Sequence, residues 1–330
     1  MCMKALVLRE TGLNLEEVPT PVATDGFVRV RLSAAALNRR DQWIREGKYP
    51  NIVHPAILGS DGCGVVDMAP SAPSLLGQRV VIDPGLDWGV REDAQGPTYR
   101  VLGMPDQGTL ADYIVTPEHN VRPAPQHLTD AEAAALPLAG LTAWRALMVQ
   151  GEASADTTIL VTGIGGGVAG LVADLVVALG ARLLVTSTSQ QKIEAARERG
   201  AIAGFLTTHS GWHKELTSTY GPPDLIVDSI GGAFMNDLFT VIRPGGTIVS
   251  YGSTLGPVPS LGIHRLFWKQ IRLIGSTMGT PTDFTNMLEF VERTGIRPRI
   301  DTVLSIHDAE SAFDRLARSE QTGKVVIRIV

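Results

Sequence analysis

The chain has 330 residues, a formal charge of −5, 44% hydrophobic residues and 19% charged ones. So much apolar material excludes a disordered chain, and the length points to about two domains. An acidic balance with no basic run argues against nucleic acid as a partner, and no apolar stretch approaches the roughly 20 residues of a membrane span.

The first ten residues, MCMKALVLRE, hold too short an apolar run for a secretory signal. Two cysteines, Cys2 and Cys63, make no disulfide framework. The expectation is a soluble cytoplasmic protein. Up to about residue 125, short apolar runs alternate with Gly, Pro and Asp: Lys4–Leu8, Phe27–Leu32, Gly64–Asp67, Arg79–Ile82 and Ala111–Val115. Such runs predict short strands in an antiparallel, barrel-like domain, with one helix near Arg39–Glu46.

The rhythm then changes. Thr129 before Asp130 and Glu132 reads as a helix start, and a helix-rich stretch runs to about Gln150. From there strands at Thr158–Thr162, Arg182–Thr186, Ala203–Leu206, Asp224–Asp228, Thr247–Ser250 and Ile271–Ser276 alternate with helices. The helices are expected at Gly166–Leu179, Gln190–Arg199, Trp212–Thr219, Ala233–Val241 and Ile263–Lys269. Six strands alternating with helices predict a doubly wound α/β parallel sheet of the dinucleotide-binding type. The tail breaks the rhythm: amphipathic helices at Phe284–Arg293 and Asp308–Arg318, then a strand at Lys324–Ile329. We read it as returning to the first domain. The expected division is therefore 1–125 with 267–330 against 126–266, with a cofactor cleft between the two.

The glycine loop carries the chemistry. Ile159-Leu-Val-Thr162 runs into Gly163-Ile164-Gly165-Gly166-Gly167-Val168-Ala169-Gly170. Glycine permits a tight turn and close backbone approach, and a helix N-terminus favours an anion such as a pyrophosphate. Three registers fit: a literal G-x-G-x-x-G at Gly165, Gly167 and Gly170; another at Gly163, Gly165 and Val168; and Gly166 to Ala169. A glycine-rich packing loop is the plain alternative. NAD sites usually carry an acidic residue at the end of the second strand. Here that strand ends in Thr186-Ser187-Thr188-Ser189, with Lys192 close behind. Hydroxyls and a cation suit a 2′-phosphate that a carboxylate would repel, so NADP(H) is expected; Ser187–Ser189 also suit capping of the next helix.

Taken together the residues resemble the medium-chain dehydrogenase/reductase superfamily, in its zinc-free quinone oxidoreductase-like branch. The matching stretches include Leu37-Asn38 to Asp41, Gly59-Ser60-Asp61-Gly62, Gly108 to Tyr113, Pro137 to Trp144 and Asp228 to Gly232. Further ones are Arg243 to Gly246, Gly275 to Gly279 and Gly323-Lys324-Val325-Val326. The resemblance implies a GroES-like β-barrel-type catalytic domain, a Rossmann domain and a nicotinamide cofactor. Zinc-dependent relatives place Cys where this chain has Asn38 and Gly-His-Glu where it has Gly59-Ser60-Asp61. The region expected to carry four cysteines for a structural zinc, about Gly85 to Arg100, has none. Both metal sites are expected to be absent.

Without a Lewis acid, electron-poor acceptors suit hydride transfer best, so the expected substrate is a quinone or α,β-unsaturated carbonyl. An NADPH-binding sensor with little turnover and a zinc-type alcohol dehydrogenase are the alternatives. By resemblance, Asn38 and Thr142 contact the nicotinamide end, and Asn38, Trp43 and Thr142 are the catalytic candidates. Asn38 also suits a turn before a helix, Trp43 a core, and Thr142 a helix hydroxyl bonded to the preceding turn. Trp43 stands where relatives carry Tyr, and an indole is no practical proton donor, which leaves water to deliver the proton. Further cofactor contacts are expected from Gly163 to Val168, Ser187, Thr188, Lys192, Tyr251, Gly252, Ser253, Thr277, Met278 and Gly279. Thr207 and His209 stand where an adenine-stacking Tyr occurs in some relatives. A homo-dimer or homo-tetramer is implied.

Overall fold

The computed structural model describes residues 1–329; Val330, the last position of the expected catalytic domain, lies outside them. Two compact units divide the chain. One joins Met1–Leu141 with the residues from Gly279 onward; the other is Thr142–Met278. The expected boundaries lie at 125/126 and 266/267, so the second unit begins and ends later in the chain than that division placed it.

The first unit is built on a long strand, Phe27–Ala36, whose inward residues Val28, Val30 and Leu32 are fully buried. Its alternating burial is the period-two signature of a strand with one face on a core. Along one edge it pairs antiparallel with Asp61–Met68. Its other edge is shared: residues 27–31 pair with Tyr113–Pro117, and residues 34–36 with Lys324–Arg328. Arg79–Ile82 and Val121–Pro123 extend the sheet beyond Asp61–Met68. Past Lys324–Arg328 lies Ile300–Ser305, in parallel pairing. These last two strands are joined through helix Ala309–Ala317, whose Ala312, Phe313 and Leu316 are buried. A smaller sheet holds the hairpin Cys2–Arg9 and Gly12–Pro19 with Ala56–Ile57. The barrel-like expectation is met, with a parallel pair added by the tail.

The second unit is a six-stranded parallel sheet in the order Ala203–Leu206, Arg182–Ser187, Thr158–Val161, Leu225–Asp228, Thr247–Ser250, Arg272–Gly275. In chain order that is 3-2-1-4-5-6, the doubly wound arrangement whose strand order reverses beside the first strand. The central strands are continuous apolar runs, buried on both faces as a helix-covered sheet requires. The first crossover helix, Gly167–Leu179, buries Ala169, Leu171, Val172, Leu175 and Val176 at helical spacing and ends on a left-handed Gly180. No helix among the described residues is long and apolar enough to cross a membrane.

Candidate functional site

Ligands of such sheets bind outside the carboxyl ends of the strands where the order reverses. Here that point lies between Thr158–Val161 and Leu225–Asp228. The two strand ends are tied together: Thr162 donates its hydroxyl to Asp228 Oδ1 at 2.5 Å, and Thr162 N donates to Val227 O at 3.1 Å. The Asp228 carboxylate also accepts from Ile230 N at 3.2 Å and Gly231 N at 3.1 Å. Burial pushes the Asp228 carboxyl above its ordinary pKa, opposed by these hydrogen bonds. Asp228 thus pins two loops at the crevice.

The glycine loop resolves among its registers. Gly163 and Gly165 have φ of +63° and +118°, and a Cβ on Gly165 would sit 2.5 Å from Lys192 Cδ. These are the two positions whose backbone demands glycine. Gly170, the last glycine of the literal motif, has nothing within 4 Å of a Cβ. The demand therefore falls on the register of Gly163, Gly165 and Val168. Gly166 is the N-cap of Gly167–Leu179 and supplies no side-chain cap. The first-turn N–H groups of that 13-residue helix lack intrahelical acceptors, which leaves them for an anion. Ile164 N is held by Thr186 O at 2.9 Å.

Of the hydroxyls after the second strand, two serve the local backbone. Ser187 Oγ accepts from Ser189 N at 3.1 Å, and Ser189 caps Gln190–Glu198 through Lys192 N. The capping role proposed for this stretch is therefore present. Thr188 is exposed. The Lys192 stem lies against Gly165. Thr207 turns its hydroxyl to Ser187 O at 3.3 Å.

Around the far strand ends, Thr142 is buried and its hydroxyl faces Met278 Sδ at 3.8 Å. Met278 carries a positive φ of 41°. Ser276 Oγ is buried with no hydrogen-bond partner among the described residues, an orphaned polar atom of the kind a ligand satisfies. Tyr251 has its hydroxyl beside Ser229, and burial pushes its pKa up. Gly252 packs on Ser229, and Ser253 lies against Gly231. Thr277 is exposed. At Gly279 a Cβ would meet Leu141 Cδ1 at 2.5 Å, so this glycine permits close packing at the start of Pro281–Thr294. The loop, the uncapped helix and the orphaned Ser276 fit a dinucleotide.

Asn38 precedes helix Arg39–Arg45, and its backbone N donates to Asp41 Oδ2 at 2.7 Å. Its side chain enters a buried cluster that the sequence analysis did not identify. Asn38 Nδ2 donates to Asp61 Oδ2 at 2.8 Å, while Lys324 Nζ donates to Asn38 Oδ1 at 2.6 Å and to Asp61 Oδ2 at 2.9 Å. Nearby, Arg40 Nη1 donates to Ser60 Oγ and to Leu102 O, both at 2.6 Å. Asp41 is fully buried, and desolvation raises its carboxyl pKa. Trp43, by contrast, is 37% exposed on the helix surface, so it is not a core residue. Lys324 was visible as a lone cation opening an apolar strand, and Asp61 as a lone carboxylate in a small-residue run. Neither pattern said that they meet.

Zinc takes Cys, His or carboxylate ligands in a tetrahedron. The positions in question offer an amide (Asn38), a hydroxyl held by Arg40 (Ser60) and a carboxylate already paired with an ammonium (Asp61). That donor set does not fit the metal. Among the described residues no group of three His, Cys, Asp or Glu converges elsewhere.

Residues 24–126 match the family model described as alcohol dehydrogenase GroES-like domain, and residues 167–293 the model described as zinc-binding dehydrogenase. The chain is 36% identical over 338 residues to the zinc-type alcohol dehydrogenase-like protein YogA of Leptosphaeria maculans, covering 96% of this chain and 94% of that one. It is 29% identical over 314 residues to a quinone oxidoreductase of Pseudomonas aeruginosa, covering 91% and 90%. A solved structure of an NAD-dependent alcohol dehydrogenase superposes with a TM-score of 0.93 at 34% identity, covering 99% of this chain and all of that one. With a GroES-like unit and a six-stranded Rossmann sheet, the chain belongs to the medium-chain dehydrogenase/reductase superfamily of oxidoreductases.

Proposed function

We propose that this protein is a zinc-independent, NADPH-dependent oxidoreductase that reduces quinones or α,β-unsaturated carbonyls. The observation that carries the reading is the Lys324 ammonium bonded to both Asn38 and Asp61, where a zinc site would need free donors. When bound, the reduced nicotinamide supplies a hydride to an electron-poor acceptor.

The chain's own residues then bind, orient and complete the charge balance. The loop Gly163–Gly166 and the uncapped helix behind it take the pyrophosphate. Thr188 and Lys192 take the 2′-phosphate, and Ser187 shapes the turn that presents them. Thr142, Tyr251 to Ser253, Ser276, Thr277 and Met278 hold the nicotinamide end. Asn38 donates an N–H to the acceptor oxygen. One hydride and one proton convert a quinone to a hydroquinone, or an enone to a saturated ketone. Water supplies the proton, since the Trp43 indole has no acidic hydrogen at neutral pH.

Among the described residues the strand Arg272–Gly275 ends its sheet with one edge unpaired, which supports a homo-oligomer. On the helix that precedes it in the chain, Ile263, Phe267 and Trp268 are exposed by 54%, 60% and 75%, and patches of this kind mark interaction surfaces. The names of several relatives favour alcohol oxidation as a second reading. Stopped-flow oxidation of NADPH with a panel of quinones and enones separates the two. Acceleration by at least one acceptor supports the proposal; oxidation of NADPH by none of them contradicts it.

A further inference from the structure

The N-terminal strand Cys2–Arg9 and the chain leading into Tyr113–Pro117 run side by side and then part. Leu6 N donates to Leu110 O at 2.8 Å, Asp112 N donates to Lys4 O at 2.9 Å, and Ala5 bridges Ala111. From Tyr113 onward no main-chain hydrogen bond joins the two among the described residues. The gap belongs to a cleft of about 820 Å³, lined by Met3 and Val18 as well as by Ile114 and Val115. Every lining residue lies within Met1–Leu141, in the first unit. The volume is that of a small-molecule site.

The parted strand keeps one edge bare: Tyr113–Pro117 pairs only with residues 27–31. Along an antiparallel pair, residues alternate between exchanging hydrogen bonds with the partner strand and turning both groups away. Leu32 N donates to Asp112 O at 2.9 Å and Glu118 N to Gly26 O at 3.0 Å, which sets the phase. Ile114 and Thr116 therefore bond to the partner strand, while Tyr113 and Val115 turn N–H and C=O to the bare edge. Tyr113 stands where the strands part; Val115 lies where the gap has opened. Val115 is half-buried, and neither of its main-chain groups has a partner among the described residues. Thr116, also on the lining, is 1% exposed, and its hydroxyl has no partner among the described residues either. Withdrawn polar groups ordinarily find partners, and here a ligand in the cleft can supply them.

The lining also sets the ligand's charge. Arg9 is paired with Glu16 at 2.7 Å, and Arg100 with Asp87 at 2.5 Å and Asp106 at 2.7 Å. Glu118 accepts from the Ser71 hydroxyl at 2.8 Å, and His119 is exposed. With these charges engaged and Met3, Val18, Leu86, Leu102 and Ile114 apolar, the cleft suits a neutral, largely apolar molecule. A donor and an acceptor on one residue match an acceptor and a donor held side by side. A primary carboxamide or a lactam has that arrangement.

We propose that this cleft is a small-molecule site for a neutral, apolar carboxamide or lactam, held by the N–H and C=O of Val115. Binding there requires neither NADPH nor turnover. A single residue with both groups free, in a cleft of this size, favours a small molecule over an extended protein segment.

The test uses the full chain with naphthalene-2-carboxamide and naphthalene, each titrated by ligand-observed NMR. We expect the carboxamide to bind about tenfold more tightly, as two added hydrogen bonds allow. Val115→Pro removes the N–H that faces the cleft and no hydrogen bond of the sheet. It should weaken the carboxamide by about threefold to tenfold and leave naphthalene unchanged. Val18→Trp fills the cleft and should abolish binding of both. Thermal melts confirm that each variant is folded. If Val115→Pro is not, Val18→Trp and the contrast between the two probes decide the matter.

Equal affinity for the two probes, or no binding of the carboxamide, would overturn the proposal. So would carboxamide binding that survives both substitutions, because the site would then lie elsewhere. A neutral, acetylated and amidated Val-Ser-Val-Ser-Val peptide that binds where the carboxamide does not would replace the small molecule with a protein strand, and would equally overturn it.

Discussion

Lys324 Nζ lies 2.6 Å from Asn38 Oδ1, although 286 positions separate the two residues in the chain. The last strand of the GroES-like unit delivers the lysine, and the end of the long strand Phe27–Ala36 delivers the asparagine two residues later. Their pairing across Val326↔Ala36 sets the register that makes the contact. Lys324→Met on its own leaves the Asp61 carboxylate buried without its cation, and is expected to destabilise the fold by about 3–5 kcal/mol. The pair Asp61→Asn with Lys324→Met should cost clearly less, because no uncompensated charge remains. Urea denaturation midpoints check this; equal losses in the two proteins would mean that the charges are not coupled.

The glycine loop allows a comparison between two substitutions of identical chemistry. Gly165→Ala forces a Cβ into a backbone at φ +118° and against Lys192, a strain of about 1–3 kcal/mol. NADPH affinity should fall at least about tenfold, since 1.4 kcal/mol is a factor of ten. Gly170→Ala sits in helix Gly167–Leu179 with open space around the new carbon. It should leave affinity unchanged and stabilise the protein by about 0.5–1 kcal/mol. Fluorescence titration and thermal melts read both effects.

Lys192 is the residue proposed to set the cofactor preference. Lys192→Met keeps the aliphatic stem that lies on Gly165 and removes the charge. The Kd for NADPH should rise about tenfold, in line with a charge-assisted contact of about 1.5–3 kcal/mol, while the Kd for NADH stays within a factor of two. Equal changes for both cofactors would place Lys192 away from the 2′-phosphate.

Asp83 supplies a pH-dependent term in stability. Burial pushes its carboxyl up to about 7 from 3.8, against a hydrogen bond from Gly85 N at 2.9 Å. A raised folded-state value means that the folded chain holds a proton the unfolded chain has released. The stability this gives is complete below about pH 4 and is lost as pH rises to 7. Asp83→Asn keeps the acceptor and removes the ionisation. It should be more stable than the unaltered protein at pH 8, by roughly 2–4 kcal/mol, and equal to it at pH 4. Melting temperatures across that range check the sign.

Much of the second unit was legible in the sequence because its elements are local and strongly patterned. Ala203–Leu206, Trp212–Thr219 and Thr247–Ser250 fall where the apolar periodicity puts them. Gly12–Pro19 and Ile300–Ser305 were missed. Both are only half-buried, so they lack the buried apolar alternation that marks a strand. Helix Pro281–Thr294 begins three residues before its first apolar residue, Phe284, because Thr280 and Pro281 form the cap and first turn. The literal glycine motif was misleading in detail: spacing picks out Gly170, while backbone conformation picks out Gly163 and Gly165. The Asn38–Asp61–Lys324 cluster was hidden for another reason. Its members come from three distant strand ends, and no local pattern records a contact made by tertiary pairing.

The proposed reaction is hydride transfer to an electron-poor acceptor without zinc. The most direct measurement follows NADPH oxidation by 1,4-naphthoquinone and by an enone, on protein whose metal content has been determined, before and after exhaustive chelation. Turnover at substoichiometric zinc that chelation leaves unchanged is the expected result. Stoichiometric zinc, with alcohol oxidation that chelation abolishes and no reduction of either acceptor, would contradict it.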